Sequence, residues 1–335
     1  MLLGVLGLLV LGYLFNLALG ILLGGAGAPV QEARLEETIL EDNHSIHKIA
    51  VVPIDGIIMS LDRGPHNPVR LVKDQLKSAK ADERVKAVVL KVDSPGGEVL
   101  ASDDIARAIA RFQRESGKPV IASMASMAAS GGYYVSAPCR WIVAHELTIT
   151  GSIGVIMQSY NFRGLMDKIG LRPQTFKSGR YKDMLSATKP ESEITQEERD
   201  MVQRLVNETF EKFKSVVAEG RKQAGDKNRG APEPGRALDA KWVDYADGRI
   251  LSGKQAYELG FVDELGPFES AVERARKLAG IQDANLVQFQ PVFSLSSLFR
   301  MFGRADVGRV KVDVGLEASP VRAGYLYFLA PNYAH

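Results

Sequence analysis

The order of apolar runs along the chain predicts an α/β protein, and three observations carry that expectation. Runs rich in β-branched residues at 48–58, 85–92, 119–124 and 141–143 have the length and composition of buried strands. Helical patterns at 69–81, 102–115 and 130–137 stand between them, and strands alternating with helices at this spacing imply parallel pairing through right-handed crossovers. Serine or glycine clusters sit where the strand patterns give out: Asp93-Ser-Pro-Gly-Gly, Ala128-Ala-Ser-Gly-Gly-Tyr-Tyr and Thr150-Gly-Ser-Ile-Gly-Val.

Taken in order, residues 1–30 form an almost unbroken apolar run in which Asn16 is the one strongly polar side chain. That exceeds the roughly 20 residues needed to cross a bilayer, so a retained transmembrane anchor is expected. A cleaved signal peptide is the rival, since Gly25-Ala26-Gly27-Ala28 resembles a cleavage site, but such cores span only about 7–15 residues. Residues 31–47 read as a polar stalk whose acidic bias weakly favours an outward-facing flank. Residues 62–67 suit a loop. Further on, 162–170 predicts a helix ending in Gly170, 172–177 a short strand, and 193–222 a long amphipathic helix. A loop rich in Gly and Pro at 223–236 leads to a helix closed by Gly260 and another at 268–278. The tail offers an apolar helix candidate at 293–302 and a strand at 324–330.

Composition excludes more than it selects. A chain of 335 residues can bury one large core or two modest ones. A net charge of +2 and a pI near 8.5 give no electrostatic case for nucleic acid. The single cysteine, Cys139, rules out an intrachain disulfide and any multi-cysteine metal site. His145-Glu146 lacks a second histidine four residues on, so no zinc helix is expected either.

Three motifs can carry chemistry. Pro95-Gly96 suits the central positions of a type II turn, and Gly97 lets backbone N–H groups face outward where two donors can hold an oxyanion. Ser130, before Gly131-Gly132 at a helix start, places a hydroxyl near the positive helix end, with the Gly131 amide beside it. Each motif alone also fits a plain turn or a helix N-cap. Gly-x-Ser-x-Gly is absent, so an α/β-hydrolase elbow is not indicated. A nucleophilic serine needs a base. Of the five histidines, His44, His47, His66, His145 and His335, only His145 follows a core strand, and a structural role suits it better. A lysine can serve instead, provided desolvation or neutral hydroxyls keep it unprotonated. Lys177 and Lys182 both qualify by position, and a solvated loop charge accounts for either.

With Ser178-Gly-Arg-Tyr-Lys-Asp and Gly248-Arg…Gly253-Lys-Gln-Ala…Gly260-Phe-Val-Asp-Glu-Leu-Gly added, five motifs stand in order over roughly 48–280. The chain resembles the signal peptide peptidase A family, membrane-anchored serine proteases, in its short single-repeat form. The resemblance implies a crotonase/Clp-like fold of repeated β-β-α units behind an N-terminal transmembrane helix. It divides the chain into an anchor (1–30), a stalk (31–47), a peptidase domain (48–283) and a tail (284–335) open to oligomer contact. Carried over residue by residue, Ser130 matches the nucleophile, Lys182 the general base and Ser152 the hydroxyl that orients the lysine. Gly97 and Gly131 match the oxyanion-hole amides.

No cofactor, metal or nucleic acid is implied. The implied partners are remnant signal peptides and other unfolded apolar peptides, membrane lipid, and further copies of the chain in a ring, with base and nucleophile in one protomer. The implied location is the cytoplasmic (inner) membrane, single-pass, with the catalytic domain on the extracytoplasmic side. Two other readings compete: a crotonase-type acyl-CoA enzyme, in which an anchor and a Ser-Lys pair have no role, and a non-catalytic membrane scaffold, which has no need of intact Ser130, Lys182 and Ser152. Asp183 is expected to point away from the Lys182 amine.

Overall fold

The computed structural model describes residues 35–60, 67–231, 233–292 and 325–330. The expected anchor at 1–30 and the helix candidate at 293–302 lie outside them. Among the described residues, no helix is long and apolar enough to cross a membrane.

The centre is a parallel sheet. Strands β1 (Leu35–Glu41), β2 (Lys48–Asp55), β3 (Val85–Ser94), β5 (Val120–Ala129), β6 (Trp141–Ala144), β10 (Glu264–Leu265) and β11 (Asn285–Pro291) run in the order β1-β11-β2-β3-β5-β6-β10. Helices α1 (Pro68–Ala81), α2 (Val99–Ser116) and α3 (Gly131–Ser136) make the crossovers that sequence periodicity predicts. Alternation along β3 feeds two cores. Val88, Leu90 and Val92 face α1, α2 and α3, while Ala87 and Val89 face Ala271 and Ala275 of helix α7 (Phe268–Ala279). Both faces are covered, which is why β2 and β3 read as continuous apolar runs.

Two expectations need correction. Residues 35–41 are not stalk: β1 pairs antiparallel with β11, and β11 runs parallel to β2, so the sheet extends past 48–283 on both sides. The sequence hides β1 because its side chains are nearly all solvated, as suits a charged edge strand held by its backbone. Lys48 pins it, bonding Glu37 at 2.6 Å and Asp82 at 3.0 Å. The strand expected at 172–177 is irregular chain instead: Phe176 is 94% exposed, and among the described residues no strand pairs with it.

The amphipathic helix is longer than its periodicity suggests. α5 (Gln196–Asn228) starts in a capping box between Thr195 and Glu198 and runs on to pack against the sheet end. There Arg221, buried with Asp263, grips both carboxylate oxygens, and Asp263 also accepts the Ile142 amide at 2.9 Å. Removing one partner leaves an uncompensated buried charge. Asp263→Ala is expected to cost about 3–5 kcal/mol, read as a lowered denaturation midpoint.

The other described elements frame the cleft. β7 (Ile149–Gly151) runs parallel to the far end of β5 and antiparallel to β9 (Ile250–Ser252). A separate three-stranded sheet holds β4 (Gly96–Glu98), β12 (Leu326–Leu329) and β8 (Ile156–Met157), with β12 in the middle. Beyond β8 an arm carries α4 (Arg163–Lys168) and a run of turns, and α6 (Gly253–Glu258) follows β9.

Candidate active site

Ser130 and Ser152 stand side by side for a topological reason. β5 and β7 are paired with Ala129 opposite Gly151, both strands end on that pair, and the serines are the next residues. Both serines have positive φ, 53° for Ser130 and 50° for Ser152, a region that non-glycine residues rarely occupy. Backbone bonds hold the two turns: the Ser130 amide donates to Gly151 O at 2.8 Å and the Ser152 amide to Arg249 O at 2.7 Å. Strain maintained this way is typical of functional positions.

Ser130 is not a helix N-cap in the chemical sense. Its hydroxyl caps nothing in α3, is fully buried and has no hydrogen-bond partner among the described residues. A buried orphan hydroxyl costs about 1–3 kcal/mol, so the fold gains nothing by keeping it.

The two glycines face the same space. The Ile58 amide donates to Gly96 O and the Glu98 amide to Ile58 O, both at 2.8 Å, which leaves the Gly97 amide pointing away from Ile58. A Cβ on Gly97 would sit 1.9 Å from Ile58 O, so only glycine fits. Gly131 begins α3, where an amide has no intrahelical partner. A Cβ built on Gly131 would lie 3.0 Å from the Gly97 nitrogen, so the two backbones run against one another beside Ser130. This is the arrangement an oxyanion hole requires.

Lys182 is placed differently. It lies on the arm, exposed, and among the described residues its ammonium makes no ion pair and no hydrogen bond. Since Ser130 Oγ has no partner either, the single chain does not hold nucleophile and base in contact. Lys177, the rival candidate, is committed elsewhere, to Asp183 at 2.7 Å and Arg180 O at 3.3 Å. His145 accepts the Leu147 amide at Nδ1, a turn-stabilising role.

What fixes the arm is a cluster that sequence reasoning missed. Lys189, nearly buried, bonds Glu198 at 2.7 Å and approaches Asp183 at 3.5 Å, while Lys177 holds Asp183 from the other side. Asp183 is thus engaged by Lys177 and Lys189, in keeping with the expectation that it turns from Lys182. The hydrogen bond from Lys189 lowers the Glu198 carboxyl below its usual range, and that from Lys177 does the same to Asp183. The bond to Glu198 in turn raises Lys189. Depressed carboxylates contribute stability that is present at neutral pH and lost as pH falls through their lowered values. The arm is expected to keep its amide-exchange protection at pH 7, lose it in acid below the ordinary carboxylate range, and lose it at neutral pH in Lys189→Met.

The model of peptidase family S49 matches residues 112–282, just over half of the chain. The chain belongs to peptidase family S49. A protein of Enterococcus faecium provisionally named signal peptide peptidase SppA is 35% identical over 76% of this chain and 71% of its own. A Synechocystis protein provisionally named a protease is 36% identical over 77% of this chain and 84% of its own. Protease 4 of Salmonella typhi is 35% identical over 72% of this chain but only 36% of its own length. The protein is therefore a serine peptidase, related to the signal peptide peptidase A group. The acyl-CoA reading loses its support.

Proposed function

We propose that the chain hydrolyses peptide bonds with a Ser130–Lys182 dyad, acting on remnant signal peptides and other unfolded apolar segments at a membrane. The observation that carries this reading is the buried, unbonded Ser130 hydroxyl on a strained turn beside the Gly97 and Gly131 amides. In the proposed reaction neutral Lys182 takes the Ser130 proton as Oγ attacks the peptide carbonyl, and the two amides hold the oxyanion. The lysine then protonates the leaving amine, and water hydrolyses the acyl-enzyme with the same lysine as base. Ser152, beside Ser130, orients the lysine. The position between β4 and β8, which β12 holds in this structure, offers an extended peptide a strand edge on either side.

Contact between Lys182 and Ser130 requires that the arm be held against the cleft. Leu165 (59% exposed), Ile169 (68%) and Phe176 (94%) give the arm an apolar surface of the kind that assembly covers. This supports a ring of copies. The apolar residues 1–30 support a single span that keeps the catalytic domain extracytoplasmic. The relatives named signal peptide peptidase support the substrate class.

Two measurements test this reading. Hydrolysis of an internally quenched apolar peptide should survive chelators, because the mechanism uses no metal. On alkaline carbonate extraction the protein should stay with the membrane, and external protease should reach α5 in intact spheroplasts. Release to the supernatant, or protection of α5, contradicts the location.

A further inference from the structure

We infer that the chain carries a second binding site, separate from the catalytic one: a cleft at the N-terminal end of α7 that takes a small carboxylate on an apolar body, the chemistry of a peptide's C-terminal residue. This goes beyond the Ser130–Lys182 reading and does not depend on it.

The cleft is where the sheet outruns its covering helix. Val89, Ile121 and Val143 pack with Ala271 and Ala275 of α7 in one core. Two residues further along the chain from each stand Lys91, Ser123 and His145. Lys91 and Ser123 are register partners on β3 and β5, so their side chains share the α7 face. α7 begins at Phe268, and with that residue the three line a cleft of about 490 Å³, within the size range of small-ligand pockets. It lies toward the carboxyl ends of parallel strands, where open α/β sheets bind ligands. None of Gly97, Ser130, Gly131 and Ser152 lines it, and α3, the helix that follows Ser130, packs into the opposite core.

The polar groups around the cleft are donors without acceptors. The Lys91 ammonium makes no ion pair and no hydrogen bond among the described residues, and it stands 5.8 Å from the centre of the Phe268 ring. Ser123 is only 5% exposed, yet its hydroxyl makes no hydrogen bond among the described residues. His145 accepts the Leu147 amide at Nδ1, 3.2 Å away, which leaves Nε2 as the donor nitrogen. At the start of α7 the first amides lack intrahelical partners, and the N-cap, Pro267, has no side chain to bond them. No Asp or Glu is among the residues lining the cleft. A free ammonium, an unpaired buried hydroxyl and a helix N-terminus around one space select an oxyanion. The remaining walls decide what carries it. Met124, Leu147 and Ile149 are apolar and would be idle beside inorganic phosphate, whereas a carboxylate on an apolar side chain uses them and the donors together. Every peptide bond that a peptidase hydrolyses releases one such end.

The test measures binding, not turnover, so it stands whether or not the Ser130–Lys182 mechanism does. The full chain is titrated with N-acetyl-leucine, with N-acetyl-leucinamide, which keeps the apolar body and lacks the charge, and with acetate, which keeps the charge and lacks the body. Saturation-transfer NMR reads each dissociation constant. N-acetyl-leucine should bind at least about tenfold more tightly than either of the others, the least that a charge-assisted contact or a buried leucine side chain contributes. Lys91→Gln should lose at least about tenfold of that affinity, and Lys91→Arg, which keeps the cation, should retain most of it. Ser123→Ala is the second variant: it breaks no bond among the described residues and should also weaken N-acetyl-leucine while leaving the amide unchanged. Equal binding of acid and amide, unaltered affinity in Lys91→Gln, or no saturable binding of N-acetyl-leucine would overturn the site. Acetate binding as tightly as N-acetyl-leucine would overturn it as well, since the apolar walls would then select nothing.

Discussion

Ser130→Ala is expected to lower peptide turnover by about 10⁴–10⁶-fold while leaving the fold intact. The two halves of that result come from one observation. The hydroxyl is fully buried yet has no hydrogen-bond partner among the described residues, so its removal costs the structure no bond there and the proposed chemistry its nucleophile. The thermal midpoint should not fall, because the unpaired hydroxyl itself costs the fold about 1–3 kcal/mol. Turnover above roughly a tenth of wild type would rule Ser130 out.

Lys182→Arg carries the second large effect. It should be nearly as damaging as Lys182→Ala, because a guanidinium keeps a cation on the arm but cannot be deprotonated to act as base. The structure makes this a clean comparison. Lys182 has no ion pair or hydrogen bond among the described residues, so neither substitution removes a structural bond from the arm. Ser152→Ala should cost less than either, since in the proposed mechanism that hydroxyl only orients the base. Substantial activity in Lys182→Arg at neutral pH would sink the dyad, and Lys177, bonded to Asp183, would then have to be reconsidered.

The central sheet was legible in the sequence because its strands are buried on both faces and its crossovers are short. β1 was not legible, since a solvated edge strand is held by backbone pairing that leaves no hydrophobic pattern. The serine clusters marked the ends of β5 and β7, whereas Pro95-Gly96, expected to form a turn, leads from β3 straight into β4, and the roles of all these residues came from resemblance. No spacing rule says that Ala129 pairs with Gly151 and so sets Ser130 beside Ser152. The final strand was visible as an apolar run. Its place against Gly97 was not, because that contact spans more than two hundred residues of chain and depends on tertiary register. The ion cluster of Lys177, Asp183, Lys189 and Glu198 was missed for a similar reason: a charged loop and a helix start look solvated until the fold brings them together.

One measurement tests the central claim most directly. The full-length protein is treated with a fluorophosphonate, digested, and the adduct located by peptide mass mapping. A single adduct on Ser130, absent from Ser130→Ala, is the expected result. An adduct on another residue, or none in a preparation that turns over peptide, would contradict it.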